Sequence, residues 1–223
     1  MSDAGSVEIP SSSGNPLVLG VLASGRGSNL QSILEAIDSG QLNARISVVL
    51  SNKKEAMVLE RAKQKNIPAL CVDPSGFPDR ETYDAELSRL LKAHQVDLVI
   101  LAGYMRLLTG VLINNYPSRI INIHPSLLPA FPGLHAQRQA LAYGVKVSGC
   151  TIHFVDEEMD HGPIIAQTAV PVRESDTEAS LSERILQEEH RLFPKVIQFF
   201  ADRSLGIDGR NVHISRKSDH GSE

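Results

Sequence analysis

Leu17-Val18-Leu19-Gly20-Val21-Leu22-Ala23-Ser24-Gly25-Arg26-Gly27-Ser28-Asn29-Leu30 decides the fold. Its first six residues form a short apolar run, consistent with a buried strand. Two glycines follow, and apolar residues then recur at helical spacing through Leu30, Ile33, Leu34 and Ile37 until Gly40 stops them. Outward from this unit the alternation continues. Residues 46–50 read as a second strand, 55–66 as a helix and 69–72 as a third strand. Residues 80–94 place Tyr83, Leu87, Leu90 and Leu91 at helical spacing, and 96–102 is a strand apolar enough to be buried on both faces. Such alternation predicts right-handed βαβ units and a parallel sheet.

Beyond residue 102 the pattern loosens. Residues 120–124, 147–155 and 164–172 are strand-like, and a last helix is expected over 177–202, with Ser180 and Glu183 spaced as a capping box. The expectation is a three-layer α/β domain over residues 16–205, with a mainly parallel sheet and a nucleotide-binding N-terminal half. Residues 1–15, rich in Ser and Gly without periodicity, are expected to be a disordered leader, and 206–223 a polar, mobile tail.

Composition narrows the function. A net charge of −4 over 223 residues leaves no basic footprint for nucleic acid, and the absence of Trp removes the best stacking platform for single strands. No apolar run approaches ~18 residues, so no membrane helix is expected. The N-terminus lacks a basic segment and an apolar core, so it is not read as a secretory signal. Cys71 and Cys150 lie in apolar, strand-like contexts and are expected to be buried, reduced thiols. A cytoplasmic enzyme is the expectation.

The turn Ser24–Asn29 joins strand to helix, where glycines admit an anion and the helix start offers unpaired N–H groups. A dinucleotide fingerprint would need a third glycine and an acid closing the second strand, which here ends Leu50-Ser51-Asn52-Lys53. A mononucleotide-type phosphate on Gly27, Ser28 and Asn29 fits better; the alternative is a tight turn with Ser28 as a mere cap.

A second stretch carries the chemistry. In Arg119-Ile120-Ile121-Asn122-Ile123-His124-Pro125, Asn122 and His124 are two apart and leave the same face of a strand. Pro125 cannot extend the ladder, so the pair sits at a strand end, where open α/β sheets keep their sites. Asp160 lies in the later run Asp156-Glu157-Glu158-Met159-Asp160. An amide, an imidazole and a carboxylate suit acyl transfer by direct amine attack: donors stabilise a developing oxyanion and the carboxylate tunes the imidazole or relays a proton. Singly, His124 can be a structural histidine and Asp160 a turn residue. No Ser sits in a G-x-S-x-G elbow, and the eight histidines offer no metal-ligand spacing, so no metal is expected.

Asn-x-His-Pro-Ser-Leu-Leu-Pro with a distant Asp resembles the signature of the folate-dependent formyltransferases, and the resemblance runs from about Leu17 to about Asp202. Within them it is similar to the members that formylate the amine of glycinamide ribonucleotide in de novo purine (IMP) synthesis, using 10-formyltetrahydrofolate as co-substrate. The resemblance implies that Asn122, His124 and Asp160 are catalytic and that Gly27, Ser28 and Asn29 hold the substrate phosphate. It implies that Glu189, which interrupts the apolar stripe Leu181, Ile185, Leu192 and Val196, faces the ribose with Leu186, Gln187 and Glu188 alongside. It implies a pteridine pocket lined by Met105, Arg106, Leu107 and Leu108 and by the loop Asp156, Glu157, Glu158, Met159 and Asp160, with Asn122 beside it and Arg80 contacting the folate. Without it, Met105, Leu107 and Leu108 read equally as core and Arg80 as a solvated charge. Arg26 has no assigned role. His135, in a Pro- and Gly-bearing loop, senses substrate or bonds its own loop.

Small-molecule partners and a monomer or homodimer are expected. A transfer-RNA formyltransferase would need a further C-terminal domain and a basic surface. A formyltetrahydrofolate hydrolase would need a regulatory N-terminal domain. A non-catalytic nucleotide-binding module would lose Asn122, His124 or Asp160.

Overall fold

The apolar runs pair much as their alternation predicts. The computed structural model describes residues 5–6 and 15–215. Its strands are β1 (Gly5–Ser6), β2 (Leu17–Leu22), β3 (Ala44–Ser51), β4 (Ala69–Cys71), β5 (Leu98–Leu101), β6 (Ile120–His124), β7 (Val147–Phe154), β8 (Ile164–Pro171), β9 (Leu205–Asp208) and β10 (Asn211–Ile214). Its helices are α1 (Ser28–Asp38), α2 (Met57–Gln64), α3 (Arg80–Ala93), α4 (Gly110–Asn115), α5 (Ala136–Tyr143) and α6 (Glu178–Ala201). Seven strands form one sheet in the order β4-β3-β2-β5-β6-β7-β8. The first five run parallel, and β7 and β8 are antiparallel to their neighbours.

Period-two alternation divides the core between the two faces. Leu19 and Val21 of β2 meet Leu30 and Ile33 of α1, Val58 of α2, and Phe193 and Ile197 of α6. On the opposite face Leu22 joins Leu50 of β3, Tyr83, Leu87 and Leu91 of α3 and Leu112 of α4. The three-layer, mainly parallel α/β architecture is therefore as expected. The chain winds to one side of β2 first and then to the other, so the crevice at its carboxyl end is the topological switch point.

Several expectations need correction. Cys71 is exposed, because β4 is a three-residue edge strand; Cys150 is buried as expected. The capping box of α6 is made by Thr177 and Ser180, not by Ser180 and Glu183: Thr177 Oγ1 accepts from the Ser180 N–H while Ser180 Oγ accepts from the Thr177 N–H. The boundary at residue 205 falls inside a β9–β10 hairpin. Part of the expected polar tail is thus ordered, since Leu205, Ile207 and Val212 pack on the main core. Gly5–Ser6, in the expected leader, pairs with β9. The rest of the leader before residue 15 and the tail from 216 lie outside the described residues.

Candidate active site

Strand register builds the centre. β6 and β7 run antiparallel with Asn122 opposite His153 and His124 opposite Thr151, so four polar side chains share one face of the ladder. Asn122 Nδ2 lies 3.1 Å from His153 Nε2, and His153 Nδ1 lies 2.8 Å from the Phe154 carbonyl. The carbonyl can only accept, so Nδ1 carries the proton, and Nε2 accepts from the Asn122 amide. One Asn122 N–H is thereby held, and among the described residues the other has no partner. His153 is buried beneath the pair.

The segment after β6 is folded back by polar bonds. Thr151 Oγ1 donates to the Ser126 carbonyl and accepts from the Leu128 N–H, while Ser126 Oγ donates to the Ala130 carbonyl. The turn presents the Phe131 carbonyl to His124 Nε2 at 2.8 Å. His124 Nε2 must donate there, which turns Nδ1 toward Asp160 Oδ2 at 3.3 Å. Both nitrogens of His124 are therefore engaged, and the free donor expected from the sequence becomes the middle of a chain. Asp160 also receives the Gly133 N–H at 2.7 Å on Oδ2, and its Oδ1 stands 3.7 Å from His153 Nε2. The structure thus brings Asn122, His124 and Asp160 together and adds His153.

The charges follow from these partners. Burial lowers the His124 pKa below the ordinary histidine value, against the opposing pull of the Phe131 carbonyl and the Asp160 charge. Burial works against ionisation of Asp160 too, but the hydrogen bond from the Gly133 N–H and the neighbouring imidazoles prevail and hold it below the usual carboxylate range. The pair is a carboxylate kept charged beside an imidazole that protonates reluctantly.

On one side of the crevice, α1 starts straight from Gly27, whose φ of 74° favours glycine. A Cβ there would stand 2.7 Å from Val58 Cγ2, so only glycine lets the turn lie against α2. No side chain caps α1 among the described residues, which leaves its first N–H groups for an anion. Ser28 is therefore not the side-chain cap that the alternative reading allowed. The Asn29 side chain is buried and donates to Glu189 Oε2 at 2.8 Å, bridging 160 positions of sequence. Burial pushes the Glu189 carboxyl up to about 7, with Asn29 drawing it partly back. Leu186 is half-buried and Gln187 exposed, while Glu188 is half-buried and paired with Arg191 at 2.7 Å. A cleft of about 770 Å³ between α1 and α6 passes Ser28 and Gln187, but it does not reach Asn122, His124 or Asp160.

On the opposite side of the crevice, Ser24 Oγ accepts from the Met105 N–H, and Arg80 Nη2 donates to the Leu107 carbonyl. Met105, Leu107 and Met159 expose large apolar side chains there, whereas Leu108 is buried. Arg106 stacks over the Tyr83 ring at 5.0 Å. The 156–160 loop is turned by Asp156 Oδ1, which accepts from the Glu158 N–H, and Glu157 is exposed beside it. Exposed apolar side chains beside ordered backbone fit a flat ring with polar edges. His135 stands at the N-cap of α5 in the left-handed region, 4.0 Å from Glu178. Arg26 offers its carbonyl to Arg61.

His153 escaped the sequence reading. Its only trace there is a polar residue inside the apolar strand Cys150-Thr151-Ile152-His153-Phe154, and register alone sets it against Asn122.

Residues 18–197 match the family model described as Formyl transferase, and the chain belongs to that family. It is 44% identical over 185 residues to the phosphoribosylglycinamide formyltransferase of Escherichia coli, covering 83% of this chain and 87% of that one. It superimposes on glycinamide ribonucleotide transformylase 1 from Symbiobacterium toebii with a TM-score of 0.89 and 53% identity, covering 91% of this chain and 96% of that one. It is also 51% identical over 179 residues to the trifunctional purine biosynthetic protein adenosine-3 of Drosophila melanogaster; that match covers 79% of this chain but only 13% of the longer protein.

Proposed function

We propose that this chain transfers the formyl group of 10-formyltetrahydrofolate to the amine of glycinamide ribonucleotide in purine biosynthesis, as a cytoplasmic monomer or homodimer. The observation that carries this is the Asn122–His153 and His124–Asp160 constellation at a strand end, between a glycine turn on one side and an apolar rim on the other. Gly27, Ser28 and Asn29 bind the phosphate through backbone N–H groups, and Glu189, with Leu186, Gln187 and Glu188 near it, meets the ribose. Arg80, Met105, Arg106, Leu107, Leu108 and the loop Asp156, Glu157, Glu158, Met159 and Asp160 hold the folate.

The co-substrate supplies an activated formyl carbon. The free N–H of Asn122 meets the formyl oxygen as it gains charge, a donor already oriented by His153. Asp160, kept ionised, accepts the proton that the attacking amine loses, directly or through water, and the same proton passes to the folate nitrogen as its bond to the formyl carbon breaks, which releases tetrahydrofolate. His124, when protonated, places imidazolium charge beside both groups, a form that the Asp160 charge favours against burial, and its bond to Phe131 fixes which nitrogen faces Asp160.

Incubation with both substrates should give formylated nucleotide and tetrahydrofolate, resolved by chromatography. Formate released without an amine acceptor would mark a hydrolase instead, and no turnover in either assay would refute catalysis.

A further inference from the structure

The β9–β10 hairpin lies beyond the residues 18–197 that match the family, yet it reaches the catalytic loop. Arg210, in its turn, donates from Nη2 to the His161 carbonyl at 2.6 Å, with Nη1 3.3 Å from His161 Nε2. His161 Nδ1 lies 2.9 Å from Asp156 Oδ2. With its proton on Nδ1, His161 donates to Asp156 and accepts from Arg210, so a guanidinium, an imidazole and a carboxylate join both ends of the 156–161 loop.

Asp160 immediately precedes the clamped carbonyl and has a φ of 52°, unfavourable for any residue with a side chain. Such strain persists only where surrounding contacts impose it. One set is internal to the site: Gly133 N–H and His124 on the Asp160 carboxylate. The other comes from the hairpin, which is anchored to the core through Leu205, Ile207 and Val212.

We propose that Arg210 is a positioning residue: by strapping the His161 carbonyl to the hairpin, it holds the 156–161 loop in the conformation that aims Asp160 at His124 and His153. Arg210 touches no reacting atom and acts through the loop. The catalytic consequence rests on the function proposed above; the conformational one does not.

The test compares Arg210→Ala, Arg210→Lys and His161→Ala with the unmodified chain, by steady-state kinetics across pH and by amide hydrogen exchange. Arg210→Ala should lower kcat by about tenfold, the scale of one charge-assisted hydrogen bond at an exposed position, while KM for glycinamide ribonucleotide stays within about twofold. The alkaline fall of the pH–rate profile should move to lower pH, because a mispositioned Asp160 no longer favours imidazolium. Arg210→Lys, which can still reach the carbonyl, should restore most of kcat. His161→Ala, which keeps that carbonyl, should lose less than Arg210→Ala. Amides of residues 156–161 should exchange faster in Arg210→Ala, with the central strands unchanged.

Unaltered exchange in that loop would overturn the proposal whatever the activity. So would an unchanged kcat and pH profile, or a loss of kcat that arrives with general destabilisation and that Lys does not rescue. If the unmodified chain forms no product, the proposed function fails while the exchange result still decides the strap.

Discussion

Replacing Glu189 with glutamine should remove most of a pH-dependent loss of stability between about pH 4.5 and 7. The carboxyl is buried, has Asn29 as its hydrogen-bond partner, and is pushed up to about 7 from an ordinary 4.5. A native pKa above the unfolded one means that the folded chain holds the proton more tightly. The stability that this carboxyl contributes is therefore fully present below pH 4.5, falls as pH rises through the window, and is lost above 7. At ~1.4 kcal/mol per unit the loss is about 3 kcal/mol. For a chain of this size that is roughly 6–12 °C in Tm. Glutamine keeps an acceptor for Asn29 and cannot ionise, so the difference in Tm between Glu189→Gln and the unmodified chain should grow by that amount from pH 4.5 to 8. Any constant offset from repacking cancels. Calorimetric melts in the absence of substrates, at several pH values, provide the measurement. Parallel Tm curves for the two proteins would refute the reasoning, because they would require Glu189 to titrate alike in both states.

Asn122→Ala should reduce kcat by roughly 10²–10³-fold with a smaller change in KM, the usual effect of losing one oxyanion donor; steady-state kinetics decide it. Asp160→Asn removes a charge that opposes the burial-driven lowering of the His124 pKa, so the alkaline fall of kcat should move to lower pH. Because His124 and Asp160 serve one proton path, the double variant His124→Ala with Asp160→Asn should lose less than the product of the single losses, and multiplicative losses would separate their roles. Gly27→Ala, which forces a positive φ and a 2.7 Å approach to Val58, should cost roughly 1–3 kcal/mol in denaturant melts and weaken phosphate binding.

Local pattern carried the N-terminal, parallel half of the sheet and the strand that bears Asn122 and His124. Period-two and period-3.6 spacing place β2, α1 and β3 within a few residues, because each buries a face whose rhythm the chain itself spells. The same rhythm sets Asn122 and His124 on one side of β6. Short elements escaped: α4 spans six residues, too few turns to show a period, and α5 buries only Ala136 and Ala140, which leave little apolar signal. The hairpin's few apolar residues matter only because α6 delivers them to a core already built.

Pairing across the chain was settled by the tertiary structure alone. Nothing near Asn122 announces His153, and nothing near Asn29 announces Glu189; antiparallel register makes the first pair, and the packing of α6 on α1 makes the second. Electrostatics is likewise a property of the folded state. The sequence named Asp160 as a group that raises the pKa of its imidazole, but the net direction for His124 is downward, because burial outweighs the carboxylate. Sequence thus determined which chemical groups this protein carries and on which elements. Desolvation and long-range contact, absent from any local stretch of chain, decided what they face and how they are charged.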